Sequence, residues 1–146
     1  MCIRDRSEID KYAKKLVSDF GIRTPSINVP VKQLSGGNLQ KIVLARELSS
    51  NPKLIIVHNP TNGLDVGAIE YVHQTLIENR KKGAAILLIS TELEEILSLS
   101  DRITVLYEGE MMGMIPRDEV DVEKLGLMMG GSKLDSNSQK SKGEQR

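Results

Sequence analysis

Two short apolar runs constrain this fold more than anything else in the chain. They are Lys53-Leu54-Ile55-Ile56-Val57 and the stretch at residues 84–89. The first is continuous and β-branched, the pattern of a strand covered on both faces, and the second is a further buried strand. Between them Asp65 can cap a helix that keeps Val66, Ile69, Val72, Leu76 and Ile77 on one face, and Lys81-Lys82-Gly83 ends it. Strand, helix and strand at this spacing predict a right-handed βαβ unit with parallel strands, hence an α/β fold.

The flanking segments follow the same rules. Ser7, with Asp10 three residues on, is expected to cap a first helix that carries Ile9, Tyr12, Leu16, Val17 and Phe20 and stops at Gly21. Pro25 and Pro30 make residues 22–31 extended or looped. A helix over 39–48 follows, with Ile42, Val43 and Leu48 as core contacts, and Asn51-Pro52 breaks it. Thr91 with Glu94 predicts a capping box before a helix of Leu93, Ile96 and Leu97, with Glu92, Glu94 and Glu95 solvating one face. Residues 103–106 and 111–115 flank Glu108-Gly109 as a hairpin, and 118–129 predicts a last helix. Met111, Met112, Met114, Met128 and Met129 are read as adaptable filler between hairpin and helix. One domain is expected over 7–130, after an unstructured lead at 1–6. Beyond it the polar composition of 131–146 predicts a disordered tail.

Charge and cysteine content remove several function classes. Lys+Arg and Asp+Glu both number 20, so there is no basic field to draw nucleic acid. The apolar runs are too short to cross a bilayer. A single cysteine, Cys2, allows neither a disulfide framework nor a zinc cluster. His58 and His73 have no partner ligands nearby in sequence, so neither is read as a metal ligand.

The chemistry-bearing stretch is Leu34-Ser35-Gly36-Gly37-Asn38-Leu39-Gln40-Lys41. A serine and two glycines at a helix entry leave backbone N–H groups bare where the helix dipole is positive, which suits a phosphate oxygen. Most such turns are simply caps. In an open parallel sheet, however, ligands bind at the carboxyl ends of the strands, and there the loops after Val57 and after Ile89 meet this glycine-bearing helix start.

Taken together these segments resemble the nucleotide-binding domain of ABC transporters, a P-loop NTPase-like fold. Residues 34–41 resemble the family's signature motif, 54–59 its Walker B strand, Asn62-Gly63-Leu64-Asp65 its D-loop and Ser90-Thr91-Glu92 its switch loop. Thr24-Pro25-Ser26 and Gly63-Leu64-Asp65-Val66-Gly67-Ala68 are similar to the second half of double-domain ATPases that serve sugar and nucleoside importers. The resemblance implies a subunit that uses ATP and Mg2+. It would lie peripherally on the cytoplasmic face of the membrane, working with a second nucleotide-binding domain, transmembrane permease subunits and a substrate-binding lipoprotein. Nucleic acid is not an expected partner.

Two departures shape what the resemblance implies. No Gly-x-x-x-x-Gly-Lys-Ser/Thr occurs in the sequence. The chain is therefore expected to be a partial domain, the C-terminal part of a longer subunit without the Walker A portion, whose Met1 need not be a native start. In addition, His58, Asn59 and Thr91 stand where the family has an aspartate, a glutamate and a histidine. Imidazole suits Mg2+ poorly, and an amide cannot act as a general base. This half's own site is thus expected to be degenerate. Its Ser35, Gly36, Gly37 and Asn38 would act in trans on ATP held by the other domain, with Asp65 at the seam. Two alternatives stand beside this reading: a non-catalytic module that dimerises on ATP, and a soluble ABC protein unconnected with transport.

Overall fold

The computed structural model describes residues 5–133. The expectations for residues 1–4 and 134–146 lie outside it. The chain forms two compact units, one reaching to Thr91 and the other beginning at Glu92.

The first unit opens with α1 (Arg6–Asp19). The predicted cap, Ser7, lies inside this helix. Asp5 is the cap, and its carboxylate accepts from the Ser7 N–H at 2.9 Å. A charged acceptor at the positive helix end outcompetes a hydroxyl two residues later, so the expected lead loses its last two residues to the helix and its cap. The helix ends as expected. Gly21 adopts a left-handed φ of 56°, its N–H donates to the Ser18 carbonyl and the Ile22 N–H to the Val17 carbonyl, the paired bonds of a Schellman end.

After a short 3-10 turn at Val31–Gln33, α2 runs over Gly36–Leu48. It starts three residues before the predicted 39, because Ser35 caps it and the glycines occupy the first turn, where no N–H needs an intrahelical partner. Leu44, Ala45 and Leu48 are its buried residues. Val43, predicted in the core, is 42% exposed, since Leu44 and Leu48 at i and i+4 set the inward stripe.

The βαβ unit is present as β1 (Leu54–His58), α3 (Val66–Lys81) and β2 (Ala85–Ile89). The strands are parallel, in register from Leu54↔Ala85 to His58↔Ile89. Within α3, Ala68, Val72 and Leu76 are buried, whereas Val66, at its first residue, is exposed. Among the described residues the expected cover on both faces of the strands is not found. Ile55 is buried, but Ile56 is 62% and Leu54 58% exposed, and on the same face Leu87 and Ile89 are about half exposed. Side chains alternate across a strand, and only one of the two faces is covered.

The second unit contains α4 (Leu93–Leu99), the antiparallel pair β3 (Arg102–Tyr107) and β4 (Glu110–Pro116), a 3-10 turn at Arg117–Glu119, and α5 (Val122–Met129). Glu92 rather than Thr91 precedes α4 as its cap residue. Glu95 does not solvate a helix face as expected. It is 4% exposed, in the first turn, where the helix dipole favours a carboxylate. Glu108 and Gly109, both at positive φ, make the expected two-residue hairpin turn. The last helix begins four residues later than predicted, capped by Asp121. Ile103, Met112, Ile115, Leu125 and Met128 form the core, with Leu93, Ile96 and Leu97 packed on it. Of the methionines read as filler, Met112 and Met128 are buried, but Met111, Met114 and Met129 are each about half exposed. No helix among the described residues is long and apolar enough to cross a membrane.

Candidate functional site

The start of α2 is built by its own side chains. Ser35 Oγ accepts a 3.0 Å bond from Asn38 Nδ2 and a longer one, 3.5 Å, from the Asn38 N–H. Asn38 Oδ1 in turn accepts from the Arg23 N–H at 2.8 Å. Asn38 is therefore held at both ends of its amide, which fixes the turn. Ser35 and Gly36 remain exposed. The N–H groups of Gly36 and Gly37 lie in the first turn, where no carbonyl precedes them in the helix.

The 62–65 loop and the start of α3 press against this turn. A Cβ on Gly37 would lie 3.0 Å from Ala68 Cβ and 3.7 Å from Asp65 Oδ2, and one on Gly36 would meet Leu64 and the Gly63 carbonyl. Gly37 is thus required by a close helix approach as well as suited to a ligand's approach. Asp65 caps α3 as the sequence predicts, its Oδ1 accepting from the Ala68 N–H at 2.9 Å. Two helix N-termini therefore stand side by side, and the carboxylate of one lies next to the glycine turn of the other.

His58, Asn59 and Thr91 also come together, at the carboxyl ends of β1 and β2. Asn59 takes a left-handed φ of 45°. Its N–H donates to the Ile89 carbonyl at 2.8 Å, and its Oδ1 accepts from the Thr91 N–H at 3.1 Å. Its Nδ2 lies 3.5 Å from His58 Nε2. Asparagine is the non-glycine residue best suited to left-handed backbone, so Asn59 ties the two strand ends together. The donor set does not fit Mg2+: one group is an imidazole, and the only amide oxygen is already engaged by an N–H. Among the described residues no cluster of three His, Cys, Asp or Glu could hold a metal ion.

The sequence gives no role to Tyr71, and names Lys41 only as the last residue of the 34–41 stretch. Lys41 Nζ donates to the Gly21 carbonyl at 3.0 Å and sits 4.5 Å from the centre of the Tyr71 ring. Tyr71 Oη donates to the Phe20 carbonyl at 3.0 Å. Burial, reinforced by the charge of Glu78 and opposed by a hydrogen bond with Thr75, raises the Tyr71 phenol above its ordinary value. No local pattern joins residues 20, 41 and 71. A separate open groove of about 360 Å³ lies among α1, the 22–34 segment and α2, lined by aliphatic residues such as Leu16, Ile27 and Ile42. Its apolar walls do not suit phosphate.

No family model matches the sequence. The chain is 48% identical over 127 residues to the guanosine import ATP-binding protein NupO of Bacillus subtilis. It is 45% identical over 130 residues to the nucleoside import ATP-binding protein NupA of Lactococcus lactis. Against the glucose import ATP-binding protein TsgD13 of Haloferax volcanii it is 42% identical over 129 residues. These alignments cover 87%, 89% and 87% of this chain but 25%, 26% and 24% of the relatives, so the chain spans about a quarter of their length. Among solved structures, the dimeric form of the bacterial ABC transporter cassette MJ0796 aligns with a TM-score of 0.66 and 25% identity, over 80% of this chain and 50% of that one. The same cassette bound to ADP and Pi aligns with a TM-score of 0.66 and 26% identity, over the same shares of both chains.

Proposed function

We propose a function from one premise: over 87% of its length this chain is homologous to ATP-binding subunits of ABC importers for nucleosides and sugars, and its fold is that of ABC ATPase cassettes. On this reading it acts as the C-terminal part of the second nucleotide-binding domain of a longer subunit. That subunit would use ATP to drive uptake of a nucleoside or simple sugar. It would work at the cytoplasmic face of the membrane with permease subunits and a substrate-binding lipoprotein.

Within that subunit the α2 start serves a nucleotide held by the other domain. Ser35 Oγ and the Gly36 and Gly37 amides meet the γ-phosphate, with the positive end of α2 behind them. The 62–65 loop packs against the glycine turn, which supports a position for Asp65 at the seam. The domain's own site binds without hydrolysing. Asn59 carries no carboxylate to take a proton from water, and its amide oxygen is engaged by Thr91. Losing a general base typically costs about 10²–10⁴-fold in rate. Mg2+ would have to be held by residues other than His58 and Asn59.

Two observations together carry this reading: the braced, exposed helix start at Ser35 and Gly36, and an Asn59–Thr91 link in place of a base and its switch. The test is Ser35→Arg in the full-length subunit. A bulky cation at the turn should abolish ATP turnover by the opposite site, and unchanged turnover would refute the trans contact.

A further inference from the structure

Three hydrogen bonds tie the corner that follows α1 to two helices, α2 and α3. Tyr71, on α3, donates to the Phe20 carbonyl. Lys41, on α2, donates to the Gly21 carbonyl. The Arg23 N–H donates to Asn38, in the first turn of α2. The corner is also where α1 ends, so its carbonyls lie at the negative end of a helix dipole and favour a cation such as Lys41. The left-handed backbone of Gly21 holds its carbonyl within reach of α2. Lys41 is held a second time by the Tyr71 ring, whose face attracts a cation.

We propose that Lys41 and Tyr71 are positioning residues, which fix the Ser35–Gly37 turn against the 62–65 loop so that it meets phosphate in one geometry. The proposal rests on the trans-acting reading given above. Its physical basis is leverage. Lys41 lies six residues after Ser35, roughly 9 Å along the helix, so a tilt of α2 at Lys41 displaces the turn directly. Two consecutive glycines in that turn give the backbone wide freedom, and Asn38 bonds it to the corner. α3 shares the same anchor through Tyr71 and touches the turn at its own start, where Ala68 abuts Gly37. Both helices that frame the turn therefore hang from one corner, and Lys41 links them through the Tyr71 ring.

The experiment uses the full-length subunit assembled with its permease, with ATP as the probe. Lys41→Met removes the cation and keeps the length of the side chain. Lys41→Arg keeps a donor and a cation that stacks on an aromatic ring. Misplacing reacting groups by an ångström can cost about 10²-fold in rate. Lys41→Met should therefore lower kcat by about tenfold or more, with KM for ATP within about twofold because the other domain holds the nucleotide. Lys41→Arg should recover most of the rate. Should Lys41→Met fail to fold, Tyr71→Phe, which removes only the hydroxyl, should lower kcat in the same way with KM unchanged. The proposal is overturned if the soluble variants keep kcat within about twofold of wild type, or if Lys41→Arg is as slow as Lys41→Met. Ser35→Arg is assayed alongside. If it is inactive while Lys41→Met turns over normally, positioning alone is wrong. If Ser35→Arg itself turns over normally, the trans-acting reading on which the proposal rests fails.

Discussion

The side-chain oxygen of Asn59 accepts a hydrogen bond from the backbone N–H of Thr91 at 3.1 Å, joining the ends of the two parallel strands. The same residue donates its own N–H to the Ile89 carbonyl and holds a left-handed φ of 45°. Asn59 is thus a structural link between the two strand ends.

That link sets an order of substitutions. Asn59→Ala should destabilise more than Asn59→Gly, by about 1 kcal/mol, because both lose the bond to Thr91 but only glycine adopts left-handed backbone freely. Urea unfolding of the full-length subunit measures the difference. Equal losses would mean that the backbone strain is relieved elsewhere.

Gly37 and Ala68 form a contact with no slack, a Cβ at residue 37 lying 3.0 Å from that of Ala68. Gly37→Ala is expected to cost about 1–3 kcal/mol through overpacking, despite alanine's better helix propensity. Ala68→Gly added to it should restore part of that loss, a coupling of about 1 kcal/mol in a double-mutant cycle. Strict additivity would show that the two helix starts do not press on each other.

Much of this was legible in sequence, for local reasons. The βαβ unit announced itself through β-branched runs, and Asp65 through its place before a helical stripe, because caps and periodicity act over a few residues. Ser7 was misread because a better acceptor, Asp5, stood two residues earlier. Cover on the strands was misjudged for a different reason. The apolar pattern of Ile56 and Leu87 records that these faces favour burial, not whether this stretch of chain supplies the partner. Of the site, the grouping of His58, Asn59 and Thr91 was readable from strand ends. The Lys41–Tyr71 anchor was not, since it depends on three helices meeting at one corner.

Asp65 has a complete local role as the cap of α3. Asp65→Ala should therefore cost about 1 kcal/mol, and Asp65→Ser should restore most of it. If the residue also lies at the seam between domains, Asp65→Ser will recover stability without recovering ATP turnover. Full recovery of both would leave capping as its whole role.

Tyr71 makes one contribution to stability that fades at alkaline pH. Its phenol is raised above the ordinary value of 10.0, chiefly by burial. Between the unfolded and folded values the native state binds more protons than the unfolded state, so stability falls as pH rises. The contribution is intact below about pH 10 and is lost as pH climbs through the folded value. Melting temperatures followed upward from pH 9 should fall less steeply for Tyr71→Phe than for wild type, and identical slopes would remove Tyr71 as the cause.

On the proposed function, the Ser35 turn completes a partner's site while Asn59 leaves its own site inert. Counting products in the full-length subunit after a single turnover separates the two roles. With both sites loaded with labelled ATP, the expected result is one ADP and one intact ATP per subunit, and no ADP at all in Ser35→Arg. Two ADP per wild-type subunit would mean that the Asn59 site hydrolyses ATP, and unchanged ADP in Ser35→Arg would mean that the Ser35 turn does not serve the opposite site.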